Sequence, residues 1–184
     1  MRLVIIFLLL IGRAYSQTYI SITPAFYTTG TGGGSVPQTS TGQRTTIGIE
    51  IGKQWDVISL GIDLGKTTLE KNAGNGDING VIPTGKWYIK LRPNLNVFQQ
   101  GKFTNTLTIG IGYVFGSKQR MLNEFTTGIE YDPNPNFAYN INYGTYYFTG
   151  KGVSSNQVFF GFSIMYFYNY KKHINNNMYN IVWE

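Results

Sequence analysis

Cysteine is absent from this 184-residue chain, and histidine occurs once. Without thiols there is no disulfide scaffold, thiolate metal site, cysteine nucleophile or cysteine-borne lipid. Charge is also scarce: Asp, Glu, Lys and Arg make up 13% of residues, roughly half their share in an ordinary soluble domain. The chain is nevertheless not a disordered tail, which needs high charge and few aromatics, because aromatic residues reach 16%. No apolar run approaches the roughly 18 residues of a membrane-spanning helix; Leu3 to Ile11 has nine. The basic residues behind the net charge of +6 are scattered, so no nucleic-acid surface is expected. The length suits one domain. What the chain has in plenty is glycine, 23 residues, and tyrosine, 14.

The first sixteen residues read as a signal peptide. Arg2 supplies a positive start, Leu3 to Ile11 an apolar segment, and Ala14-Tyr15-Ser16 small residues at the positions a signal peptidase reads. Cleavage before Gln17 leaves residues 17–184. The loss of Arg2 and Arg13 lowers the formal charge from +6 to +4.

Beyond that point apolar residues alternate at period two, the signature of half-buried strands. Ile47-Gly48-Ile49-Glu50-Ile51-Gly52 is the clearest case, followed by Ile58 to Gly65 and Leu107 to Tyr113. Weaker alternation covers Thr18 to Tyr27, Trp87 to Val97, Phe125 to Tyr131, Phe137 to Phe148 and Val158 to Tyr170. This predicts eight strands, most about as long as the 9–11 residues of a tilted transmembrane strand. Their connections alternate in length. Thr28 to Arg44, Leu69 to Gly85, Gly116 to Asn123 and Thr149 to Asn156 are the longer ones. The segments around Trp55-Asp56, Gln99 to Phe103 and Asp132 to Asn136 are short. An up-and-down meander then carries every longer loop on one side, as outer-membrane barrels do. The expected fold is all-β, an eight-stranded antiparallel up-and-down transmembrane β-barrel.

The small face of the alternation decides which side meets lipid. Glu50, Asp63, Lys90, Arg92 and Glu130 fall on it, among Gly48, Gly61, Gly110, Gly112 and Gly128. Turned outward, it makes a poor soluble surface; turned inward, its small residues fit a narrow lumen and its charges can pair. The five charged residues are therefore expected to form an interior salt-bridge cluster that plugs the barrel without an open pore. A proton or ion relay is the other use such a cluster could have. On the apolar face, Trp87, Tyr113, Phe125 and Phe162 are expected to form a girdle at the long-loop end. Tyr166 and Tyr168 belong to a second girdle at the short-turn end, each at headgroup level.

With these features the chain resembles the small eight-stranded outer-membrane proteins of the OmpX and OmpA-barrel kind, over Gln17 to Tyr170. Members end on an aromatic strand read by the barrel-assembly machinery, and Gly161, Ile164 and Tyr166 are similar to that signal. Phe159 stands where a polar residue is usual, and Lys171 to Glu184 continue past the final strand. The resemblance implies a bacterial outer-membrane location, outer-membrane lipid and the assembly machinery as partners, and a monomer. It makes residues 17–170 the barrel and 171–184 a periplasmic tail, with an unidentified extracellular partner reached by the long loops.

Other motifs lead elsewhere. Gly61 to Thr67 imitates a phosphate-binding loop, but it lacks one spacer residue and lies on a strand rather than at the start of a helix. Asn75, Asp77 and Asn79 copy the first half of a calcium loop, yet Lys86 occupies the place of the closing glutamate. Small barrels include lipid A acyltransferases and deacylases, whose chemistry uses a histidine base beside a serine. Here the one histidine, His173, lies beyond the last strand, leaving inward Ser59 and Ser163 without a base. The acid pair Asp63 and Glu50 is better explained by the cations near it. No enzyme and no cofactor are expected. The function expected is a structural or surface-interaction role in the outer membrane, such as envelope integrity or adhesion. A soluble exported barrel with an apolar ligand and a lipid-modifying enzyme are the alternatives.

Overall fold

The computed structural model describes residues 16–33, 38–40, 44–55, 57–67, 85–118, 120–150 and 153–168. The alternation becomes ten strand segments: β1 (Gln17–Ile22), β2 (Ala25–Gly33), β3 (Gln38–Ser40), β4 (Arg44–Gln54), β5 (Ile58–Lys66), β6 (Trp87–Gln100), β7 (Phe103–Val114), β8 (Met121–Asn134), β9 (Phe137–Gly150) and β10 (Val153–Tyr168). All lie in one antiparallel sheet, and the pairings of β1 with β4 and β10 with β2 close it on itself. β1 and β2 are two parts of one staff of the barrel, as are β3 and β4, so the barrel has eight strands. At the join, Thr23 and Gly48 exchange backbone hydrogen bonds of 2.9 and 3.3 Å, and the register with β4 runs on unchanged from Ile22↔Ile49 to Ala25↔Thr46. Pro24 has no N–H to donate, but its carbonyl accepts from the Phe162 N–H at 3.0 Å. The interruption therefore costs a donor and leaves the register intact.

Partner by partner once around the barrel, Ile20 leads back to its own staff at Thr31, eleven residues further on. One of the eleven belongs to the bulge opposite Val158/Phe159. This stagger tilts the strands and opens an interior just wide enough for side chains to fill.

The short connections are built from turn chemistry. Gln100 pairs with Phe103 across Gly101-Lys102, where Gly101 has φ of 60°, as a two-residue hairpin requires. At the Pro135-Asn136 turn, Asn134 Oδ1 accepts from the backbone N–H of Asn136 at 3.0 Å and of Phe137 at 3.2 Å, an Asx turn. Both turns, with Trp55–Ile58, lie at one end of the barrel. The strands are longer than alternation alone predicted. β8 begins at Met121 rather than Phe125, β7 at Phe103, and the Gly/Thr-rich stretch after Thr28, read as loop, is strand to Gly33. Glycine and threonine alternation carries no apolar signal, so the pairing partners had to supply it.

The apolar face points outward. In β5, Ile58, Leu60, Ile62 and Leu64 are exposed, while Ser59, Gly61, Asp63 and Gly65 face in. The same holds for Ile47, Ile49 and Ile51 of β4 and for Ile109 and Ile111 of β7. A soluble barrel with an apolar ligand cavity requires the opposite arrangement.

Candidate functional site in the barrel interior

The inward side chains form layers. At the long-loop end, Ala25, Tyr88, Val114, Leu122, Tyr146, Phe148 and Phe159 pack into an apolar plug. The Tyr146 and Phe159 rings stack with centroids 4.2 Å apart. At the short-turn end Tyr19, Ala138 and Phe167 form a smaller plug with Met165 against it, and the Tyr19 and Phe167 rings lie 5.9 Å apart. Inward aromatics were not anticipated, because period two assigns them to whichever face the rest of the strand suggests. Phe159, out of place in an assembly signal, is here a buried member of the upper plug.

Between the plugs lies a charge network. Lys90, 2% exposed, reaches Asp63 Oδ2 at 3.0 Å and Glu124 Oε2 at 2.7 Å. It also donates to the Tyr146 hydroxyl at 2.9 Å, its ammonium 4.5 Å from that ring's centre. Arg92 donates through Nη2 to Glu124 Oε1 at 2.9 Å and through Nη1 to Glu50 Oε2. The Tyr19 hydroxyl donates to Glu50 Oε1 at 2.5 Å, Tyr88 to Asp63 Oδ2 at 3.4 Å and Thr126 to Glu124 Oε1 at 3.0 Å. Buried charges are tolerable only when they are paired and their remaining valences filled, and the tyrosines supply much of that filling. Glycines make the room. A Cβ on Gly61 would fall on the Glu50 carboxylate, and one on Gly110 would lie 2.8 Å from the Cβ of Glu124.

Four of the five charged residues singled out from the sequence, Glu50, Asp63, Lys90 and Arg92, thus meet in one network. Glu130 does not. It faces inward nearer the short-turn end, opposite Thr104 and Asn140, and takes part in none of these ion pairs. Its place is taken by Glu124, which has the same parity on the same strand. Starting that strand at Phe125 hid Glu124 by a single residue. Below the network a polar layer holds Asn94, Thr106, Thr108, Asn140 and Asn142, tied by hydrogen bonds of 2.8 to 3.2 Å.

Outside, the aromatic residues fall into two belts with exceptions. Trp87 and Tyr113, with Phe115 5.2 Å from the Tyr113 ring, lie at the long-loop ends of their strands. Tyr166 and Tyr168 lie at the other end, where Phe103 stacks on Tyr131 at 5.0 Å and the Phe137 ring lies tilted against Tyr166 at 5.2 Å. Phe125 and Phe162 also face out but belong to neither belt. Phe125 sits opposite Ile109, two outward positions below Tyr113, and Phe162 lies mid-strand opposite Ile141, half-buried beside Tyr139. Both are part of the apolar band itself. The candidate calcium residues Asn75, Asp77 and Asn79, together with His173 and the tail, lie outside the described residues. So does most of the segment read as a signal peptide.

An outward aliphatic band, belts of aromatics at both ends, a sheet without an edge and a filled interior define an eight-stranded transmembrane β-barrel. Solved structures agree on the fold. The chain is similar to Neisserial surface protein A, at 13% identity over 80% of this chain and 96% of that one, with a TM-score of 0.50. It is also similar to the de novo designed protein TMB2.3, at 11% identity over 85% of this chain and 98% of the other, with a TM-score of 0.53. No family model and no curated protein matches the sequence.

Proposed function

We propose that this protein is an integral barrel of a bacterial outer membrane that acts through its exterior, in envelope integrity or surface contact, and not as a channel. The observation that carries the reading is the filled lumen: two apolar plugs with an ion-paired layer between them. Such an interior leaves no continuous aqueous path, so solute passage is not the task. What remains for recognition is the long-loop end, and the unidentified extracellular partner belongs there. Lipid is the partner of the aliphatic band, the barrel-assembly machinery acts during biogenesis, and export is by the segment 1–16. With no sheet edge left to pair, the barrel acts as a monomer. Catalysis is not part of the reading, since the one histidine of the sequence, His173, follows the last strand rather than lying on one.

The test combines location with conductance. Expected are recovery in the outer-membrane fraction, a band that shifts on boiling before electrophoresis, and no conductance in planar bilayers. A soluble periplasmic product overturns the membrane assignment, and steady single-channel steps overturn the closed lumen. Crosslinking on whole cells from residues of the long loops then identifies the partner.

A further inference from the structure

Glu130 is 4% exposed, and it makes neither a hydrogen bond nor an ion pair among the described residues. Its carboxylate faces a cavity of about 30 Å³ between the charge network and the lower plug. Around it are the side chains of Asn140, Asn142, Ser163 and Ser21, and the Ser21 hydroxyl likewise has no hydrogen-bond partner. Charge is unbalanced here. Among the described side chains the lumen buries four carboxylates, Glu50, Asp63, Glu124 and Glu130, against the cations Lys90 and Arg92. A carboxylate without a partner in such surroundings has to be answered by a cation or by a proton.

We propose that this cavity binds one small monovalent cation of sodium size, held by Glu130 and the neutral oxygens about it. Its volume admits about one or two waters, hence a dehydrated ion with at most one water, and neither a hydrated ion nor an organic molecule. Glu50 also borders the cavity, but its oxygens are engaged by Arg92 and by the Tyr19 hydroxyl; Glu130 alone is left, too little charge for a calcium-type site, which recruits several carboxylates. Arg92 also borders the cavity, but its Nη atoms are directed to Glu50 and Glu124, where its charge is answered. Asn140 is held in place by donating to Thr106 Oγ1 at 3.2 Å. The site is separate from the surface role and stands or falls without it.

The experiment is thermal unfolding of the full barrel in phospholipid vesicles, in sodium chloride and in N-methylglucamine chloride at equal ionic strength. The parent is expected to melt about 2–4 °C higher in sodium, and Glu130→Gln, which keeps shape and removes charge, is expected to show no difference between the salts. Equal shifts in both proteins would mean surface screening, and no shift in the parent would mean that a proton on Glu130, with water, fills the cavity; either result overturns the proposal. Should Glu130→Gln not fold, Ser163→Ala takes its place. It removes a neutral oxygen and no charge, and the sodium shift must fall to less than half; an undiminished shift overturns the proposal.

Discussion

Arg92 on β6 bridges Glu50 on β4 and Glu124 on β8, one guanidinium nitrogen to each carboxylate. The contact ties together staves that are not neighbours in the sheet, so it braces the barrel across its lumen in addition to the ladder around its wall.

Arg92→Ala leaves Glu50 in the interior with the Tyr19 hydroxyl and no cation, and leaves Glu124 with Lys90 alone. Removing one partner of a buried pair costs about 3–5 kcal/mol, and urea unfolding in vesicles should show a loss of that order. An unchanged midpoint would contradict the pairing. Replacing all three groups at once, as Glu50→Leu, Arg92→Met and Glu124→Leu, leaves Lys90 with Asp63. That variant should lie within about 2 kcal/mol of the parent, so the triple change is expected to be milder than the single one.

Ile62 faces outward midway along β5. Ile62→Lys sets an ammonium near mid-membrane, at a cost of about 2–4 kcal/mol. Trp87→Lys, at the belt, costs the lysine only about 0–1 kcal/mol there plus the lost aromatic anchor. Equilibrium unfolding of the two variants in vesicles should rank Ile62→Lys as the more damaging. A soluble barrel would show no such dependence on depth.

Gly110→Ala inserts a methyl 2.8 Å from the Cβ of Glu124 and should destabilise by about 1–3 kcal/mol through overpacking. Gly101→Ala meets no atom within 4 Å but takes φ of 60°, where a Cβ costs about 1–2 kcal/mol. The two losses have different signatures. In a double-mutant cycle, Glu124→Gly, which removes that Cβ, should couple favourably with the first, and nothing in the lumen should relieve the second.

Phe159→Ala removes a ring from the upper plug and should cost about 3–5 kcal/mol. Planar-bilayer recordings of this variant should still show no conductance, because the ion-paired layer beneath is untouched. Channel openings in Phe159→Ala would show that the plug alone seals the barrel.

Much of this architecture is written in alternation. Ile47 to Gly52 and Ile58 to Gly65 announce strands, their faces and the inward carboxylates together, because large apolar and small residues share a strict period. The same reasoning failed where that contrast fades. Thr29 to Gly33 are strand with no apolar member, and at the start of β8 the contrast is reversed, with apolar Leu122 inward and polar Asn123 on the outward side. The two exceptions to the aromatic belts have another cause. Tilt makes height in the membrane depend on stagger as well as on position along a strand, and stagger is a property of pairs. Partners inside the lumen are likewise fixed by the turn of the barrel, which brings Glu124 rather than Glu130 to Lys90.

The sheet is sealed by pairing Thr18 with Tyr168. The two partners stand 150 positions apart in the chain, so closure is the most non-local event the fold requires and the slowest by topology. Until then β1 and β10 are open edges, free to pair with any other chain. A chain of this kind is without its final seam until its last strand is in place, and its chief hazard lies in that interval rather than in the finished barrel.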